Sequence, residues 1–196
     1  MICLLIQMSQ VGAFMSQLKS VATVTLCVLA LLSISACSSK TYKPEEHSIY
    51  DKHVRDFEVS GKINVTSINM KENPQVIYKR FSTVESSYQE IASLMAMQLE
   101  KEIKENSTID GESDKNLYIQ LDRFYFEPGA AEKDFHIDFT LIGERGFEKQ
   151  FRLSESSREL SSGGLEKSFN NAIAMSVKKI LRDGRTLQYM ASNSIR

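Results

Sequence analysis

Residues 57–186 read as an α+β domain: an antiparallel β-sheet with two amphipathic helices on one face, in the order β-β-α-β-β-β-α. Three observations predict this. In the second half, Phe135, Ile137, Phe139 and Leu141 alternate with His136, Asp138 and Thr140, a period of two that marks a strand with one wet face. The links between strands there are short, as antiparallel neighbours allow. Two stretches, after Ser87 and after Gly164, switch to apolar residues three and four apart, the helical spacing.

The elements follow in order. Phe57, Val59, Ile63 and Val65 alternate with Glu58, Ser60, Lys62 and Asn64, which predicts one strand with Gly61 as a bulge. Asn73-Pro74 turns the chain, and 75–81 is the second strand. Ser87 followed by Glu90 matches a capping box, and Tyr88, Ala92, Met95, Leu99 and Ile103 then form one helical face. The polar run 106–116, with Asp110-Gly111 inside it, reads as a loop. Leu117, Ile119 and Leu121 alternate cleanly, but Phe124-Tyr125-Phe126 breaks the alternation, which predicts a bulge near Arg123. Pro128-Gly129 ends that strand, and Gly143-Glu144-Arg145-Gly146 joins the next two. The closing helix carries Leu165, Phe169, Ala172, Ile173, Ser176, Val177 and Ile180 inward. Lys178, Lys179 and Arg182 complement its C-terminal dipole, with Gly184 as its C-cap. Residues 187–196 read as a frayed tail. The sheet face away from the helices carries Glu58, Lys62, Gln120, Asp122, His136, Asp138 and Arg152, polar enough to meet water.

Ahead of this domain lies a targeting pattern. From Met15, Lys19 gives a positive start, Val21 to Leu32 an apolar stretch, and Ser33, Ser35 and Ala36 the small residues of a secretory signal. The apolar stretch falls short of the ~20 residues a spanning helix needs. Residues 1–14 are apolar and uncharged, unlike a signal's opening, so translation is expected to begin at Met15, with Met8 as the second choice. The three cysteines, Cys3, Cys27 and Cys37, all precede the domain, which excludes disulfides and thiolate metal sites within it. Residues 37–56 are polar and charged and read as a tether.

The sequence Ile34-Ser35-Ala36-Cys37 resembles the lipobox of bacterial lipoprotein precursors. That resemblance implies removal of 1–36 as a signal peptide and acyl chains on Cys37, the contact with membrane lipid. Two or three chains give a stable anchor at roughly 0.8 kcal/mol per buried CH₂. Ser38, where inner-membrane lipoproteins often carry Asp, implies the outer membrane, with the domain on its periplasmic face. Behind the lipobox, the element order resembles that of small envelope lipoproteins of the YajG-like type. It is more loosely similar to auxiliary lipoproteins of lipid transporters of the PqiC kind. The likeness covers most of the chain after Cys37 and implies a fold, with no site residue carried over beyond Cys37.

The chemistry expected of the domain is sparse. Net charge is −1 with no basic run, which argues against a nucleic-acid partner. His47 and His53 lie in the tether, where nothing rigid holds a metal. His136 and Asp138 share a strand face, but no third polar group is placed beside them, so they read as solvated surface. Gly-x-Ser-x-Gly does not occur. Gly163-Gly164 reads as helix entry rather than an anion site. No catalytic residue, metal or cofactor is therefore expected. Ile91, Leu94 and Met97 widen the apolar arc of the first helix, and Phe124-Tyr125-Phe126 gathers three aromatics beside a loop. Exposed apolar area of that kind marks contact sites, so Leu94, Met97, Phe124, Tyr125 and Phe126 are the candidates for meeting another envelope protein; the alternative, and the commoner case, is that both groups belong to a generous core. The function expected is that of an accessory or assembly factor without enzymatic activity. The alternative is a lipid or small-molecule carrier serving a transporter, with a pocket between sheet and helices near Phe135 and Phe139.

Overall fold

A computed structural model describes residues 39–49, 54, 56–68, 73–80, 83–111, 114–128, 133–157 and 164–192. The expected leader 1–36 with Met15, the expected lipidation site Cys37, His53 and Gly163 lie outside them. In chain order the elements are β1 (Ser39–Thr41), β2 (Phe57–Ser60), β3 (Ile63–Ser67), β4 (Gln75–Lys79), β5 (Thr83–Ser86) and helix α1 (Tyr88–Asn106). There follow β6 (Ser107–Asp110), β7 (Lys115–Pro128), β8 (Lys133–Gly143), β9 (Glu148–Ser157), α2 (Gly164–Ile180) and α3 (Gly184–Ala191).

The α+β class is as the alternation and helical spacing predict. The long strands β7, β8 and β9 form an antiparallel meander, with Leu121 opposite Phe139 and Phe139 opposite Phe151. At the turn between β8 and β9, Arg145 (φ 56°) and Gly146 (φ 77°) take left-handed backbone, and the Gly143 amide donates to the Phe147 carbonyl at 2.8 Å. The sheet as a whole is mixed, which corrects the expectation of a purely antiparallel one. β3 runs parallel to β7, Val65 opposite Leu117, and β4 meets β7 in parallel at Tyr78 and Phe126. The excursion through β4, β5 and α1 is long enough to bring the chain back to the same end, and such crossovers produce parallel neighbours.

The predicted single strand 57–65 is two strands. Gly61, at φ 74°, breaks it. β2 pairs in parallel with β6, Phe57 opposite Ser107, while β3 pairs with β7 two residues out of that register. The run 106–116 is therefore not all loop, since β6 accounts for Ser107–Asp110.

One sheet face is apolar and covered. Leu117, Ile119 and Leu121 of β7 are buried with Phe135, Ile137, Phe139 and Leu141 of β8. α1 and α2 lie over them, each turning its apolar side down. Ser87 caps α1, accepting from the Glu90 amide at 3.3 Å, as the capping box predicts. The other face carries Gln120, Asp122, His136, Asp138 and Arg152, as the alternation predicts. Asp138 pairs there with Arg152 and Arg123.

The predicted bulge sits between Leu121 and Arg123. Its consequence is that Phe124 and Phe126 swing onto the buried face. Both surround Phe169 of α2, with ring centroids 6.0 and 4.5 Å away. Along that edge of β7, β3 pairs up to Ile119 and β4 joins at Phe126. The Tyr88 hydroxyl fills the gap: it accepts from the Phe124 amide at 3.0 Å and donates to the Phe124 carbonyl at 3.3 Å. Burial pushes the Tyr88 phenol above its ordinary pKa, against the lowering effect of the Phe124 contact.

Two boundaries differ from expectation. Residues 39–49, predicted as tether, pack on the domain. β1 pairs in parallel with β5, Ser39 opposite Thr83, and Tyr42 is 2% exposed against Phe169. The Tyr42 hydroxyl donates to Asn170 Oδ1, which also accepts from the Glu45 amide. A segment so polar fastens because its backbone finds a strand edge and its one aromatic finds a slot. Val54, further along the same predicted tether, is also buried. The predicted tail 187–196 begins inside α3, which packs against β2 and buries Met190. Gly184 is accordingly no C-cap of α2. It is the first residue of α3, behind the cap Asp183, whose carboxylate accepts from the Thr186 amide at 2.9 Å.

Candidate functional site

β3 lies beside β7 in parallel, so alternate residues direct their backbone polar groups to opposite sides. The Lys62 carbonyl accepts from the Lys115 amide at 2.8 Å and the Ile68 amide donates to the Ile119 carbonyl at 2.9 Å. Even-numbered residues thus serve β7, and the amides and carbonyls of Ile63, Val65 and Ser67 point the other way. Among the described residues, no strand pairs with that second edge.

Next to this edge α1 presents its outer side, and the two define a groove of about 560 Å³. Val65, Thr66 and Ser67 form one wall; Ser93, Ala96, Met97, Glu100, Lys101, Lys104 and Glu105 form the other. Polar contacts fix its mouth. The Ser67 and Ser93 hydroxyls lie 2.8 Å apart, and the Gln89 amide donates to Ser67 Oγ at 2.9 Å. Lys104 pairs with Glu100 at 2.7 Å, four residues back on the helix. Lys101 pairs with Glu46 of the N-terminal segment at 2.6 Å, which raises the Lys101 pKa. Within this polar frame Met97 is 53% exposed and neighbouring Ile68 39%. Large apolar side chains this open thus lie beside a strand edge that no strand pairs with among the described residues.

The candidate contact residues separate. Met97 lies in the groove and is exposed. Leu94, Phe124 and Phe126 do not: they are 8%, 0% and 2% exposed, which corrects their assignment to an open surface. Leu94 stands one turn before Gln98, whose amide donates to the His47 carbonyl, and that flank of α1 is the one the N-terminal segment crosses. Tyr125, on the wet sheet face, is half-buried and stacked on His136 at 4.6 Å. His136 Nδ1 lies 3.0 Å from Ser154 Oγ, and Asp138 is turned to the two arginines. The two residues are on one face but in separate contacts, without the shared proton path an acid–base pair needs. Among the described residues, no group of three or more His, Cys, Asp or Glu gathers to hold a metal.

Phe135 and Phe139, named as the lining of a carrier pocket, are fully buried. Phe135 is in ring contact with Phe126 at 5.7 Å, and Phe139 stacks on Phe151 at 4.9 Å.

Sequence reasoning passed over the open edge of β3 and the role of Lys115. Lys115 is 1% exposed and donates to the carbonyls of Tyr189, Met190 and Ser192 at the end of α3. Burial, and after it the Arg145 charge, push its pKa below the ordinary value, with Glu144 opposing. For the β3 edge a signal did exist. A helix between strands implies a crossover, and a crossover calls for a parallel partner with an edge of its own.

No protein-family model and no curated protein matches the chain. Among solved structures it is similar to protein XCC0632 from Xanthomonas campestris, described as belonging to the family DUF330. The identity is 13%, the TM-score 0.47, and the match covers 76% of this chain and 94% of that one. Neither the fold class nor the functional reading rests on this likeness.

Proposed function

We propose that this chain is a lipid-anchored accessory protein of the bacterial envelope, without enzymatic activity of its own, that holds another envelope protein through the groove between β3 and α1. The observation that carries the reading is the exposed Met97 beside the edge of Ile63, Val65 and Ser67, with which no strand pairs among the described residues. The occupant is an extended segment of the partner, because free amides and carbonyls at strand spacing bond to a strand, and the apolar groove gives its side chains a seat. The anchor is supported by the lipobox at Ile34–Cys37. Among the described residues no helix is long and apolar enough to cross a membrane, and acyl chains need none. Ser38 supports the outer membrane and a periplasmic domain.

Two variants test the contact. Proline at Ser67 removes an amide that faces away from β7, so the β3–β7 ladder keeps its bonds while the open edge loses a donor and gains a steric block. A photo-crosslinking residue in place of Met97 is expected to capture one envelope protein in intact cells. Ser67→Pro is expected to abolish that adduct in a protein that still folds, at a cost of about 1–2 kcal/mol for the hydroxyl contacts with Ser93 and Gln89 that it also removes. Ser67→Ala, which loses the same contacts but keeps the amide, is expected to retain the adduct. An adduct that survives Ser67→Pro refutes strand pairing at this edge. For the anchor, Cys37→Ser is expected to move the protein out of the membrane fraction, and unchanged fractionation refutes lipidation.

A further inference from the structure

The N-terminal segment joins the sheet almost at once after Cys37. Ser39 is already in the sheet, paired with Thr83. Lys40 pairs with Glu166 at 2.7 Å, and Tyr42 is locked between Phe169 and Asn170. One residue, Ser38, lies between Cys37 and Ser39, and the two residue steps, at ~3.6 Å each when extended, reach roughly 7 Å. An acyl group on Cys37 therefore has no free chain to hang from.

The pairings identify the end of the sheet at which this happens. β1 and β5 start there, at Ser39 and Thr83, and β4 finishes there, at Lys79. β7 finishes and β8 starts at the same end, Pro128 opposite Lys133, with Ser157 of β9 beside them. The groove lies toward the other end, since Val65 and Ser67 are opposite Leu117 and Ile119 of β7. About ten residues of β7 separate the two levels, roughly 33 Å at ~3.3 Å per residue.

We propose that the domain stands directly on the bilayer, strands end-on, with the Ser39, Lys79 and Thr83 end against the lipid headgroups and the β3–α1 groove held away from the surface at a fixed height. The occupant of that end is the lipid surface itself. This deepens the anchoring reading and rests on it. A floppy tether would let the groove sample every height; β1 removes that freedom, so a partner segment meets the groove at one level above the membrane.

The test uses the full lipoprotein in vesicles of phosphatidylethanolamine and phosphatidylglycerol carrying a headgroup nitroxide lipid. The chain has no cysteine after Cys37, whose sulfur the acyl group occupies, so a cysteine introduced at an exposed position takes a fluorophore alone. Lys79→Cys reports on the anchored end and Glu148→Cys, at the start of β9, on the far end. Several-fold stronger quenching at position 79 than at 148 is expected. A Gly/Ser insert of about 15 residues between Ser38 and Ser39, ~20 Å in r.m.s. length, is expected to remove the difference while flotation with the vesicles persists. Equal quenching in the chain without the insert, on protein that floats, overturns the end-on stance and leaves lipidation standing. Protein that does not float at all overturns the anchor, and this inference with it.

Discussion

Residues 39–49 and residues 184–192 are both short, polar and terminal to the domain, yet they are fastened by different physics. The N-terminal segment spreads its contacts over β5, α1 and α2: a strand pairing, the Tyr42 ring, the shared Asn170 oxygen and two ion pairs at the surface. The C-terminal one concentrates its hold. A single buried ammonium, Lys115, gathers three carbonyls at the end of α3, and the Tyr189 ring lies over Gly143 and stacks on Phe147 at 4.2 Å. Distributed contacts tolerate the loss of any one polar member; concentrated ones do not. That difference fits the two places: one beside the proposed anchor, where a pull is shared among elements, the other at the far end, where a few contacts around Lys115 and Tyr189 hold α3.

Substitutions sharpen the comparison, largest effect first. Tyr42→Ala is expected to cost about 3–5 kcal/mol, as for other large aromatics cut back to alanine in a core. Tyr42→Phe keeps the ring and is expected to cost only ~0.5–1.5 kcal/mol for its hydrogen bond to Asn170. Urea unfolding of both variants separates packing from polar contact, and equal losses would break the claim that the ring dominates. Lys115→Met keeps the stem and removes the donors. A loss of about 1.5–3 kcal/mol is expected, with α3 becoming open to protease while β1 stays protected. Protection of both ends in that variant would show that α3 does not depend on the ammonium. Gly143→Ala places a methyl group 2.7 Å from the Tyr189 ring, where something must shift. The expected cost is about 1–3 kcal/mol, read by the same two measurements.

Acid is the mildest probe. Burial alone would raise the Asp183 pKa, but hydrogen bonds from the Thr186 amide and hydroxyl, with Lys149 at 3.1 Å, outweigh it and hold the carboxyl below its ordinary 3.8. A carboxylate depressed on folding stabilises the fold above its unfolded pKa, and that contribution is lost as pH falls through the folded value. α3 is therefore expected to loosen below about pH 4, earlier than the N-terminal segment, as followed by hydrogen exchange at Leu187. Asp183→Asn is expected to flatten this dependence; an unchanged acid profile would remove Asp183 as its source.

Leu94 and Met97 give the comparison a control inside α1. Both are apolar and three residues apart, but Leu94 is 8% exposed and Met97 53%. Leu94→Gln is expected to destabilise by a few kcal/mol (about 2–4) through lost burial and an unmatched amide. Met97→Gln is expected to stay within ~0.5 kcal/mol of the parent. Similar losses at both sites would place Met97 in the core and remove the groove's apolar seat.

What could be read from the residues in a row was whatever repeats locally. A two-residue period marked β7, β8 and β9 and the wet face with His136 and Asp138; a spacing of three and four marked α1 and α2; Ser87 and Glu90 marked a start. Met97 was legible as apolar, and the break near Arg123 as a bulge. Those signals depend on backbone geometry that every strand or helix shares. Which edge of β7 takes β3, whether Phe124 faces in or out, and where Tyr42 and Lys115 find partners depend on residues far away in sequence. Asn170 is 128 positions from Tyr42, and the α3 carbonyls are 74 to 77 from Lys115. A polar segment carries no local mark of whether it will meet an edge, so only the assembled sheet turned residues 39–41 into a strand and fastened 42–49 behind it. Among the described residues, the same assembly leaves the Ser67 side of β3 without a strand partner.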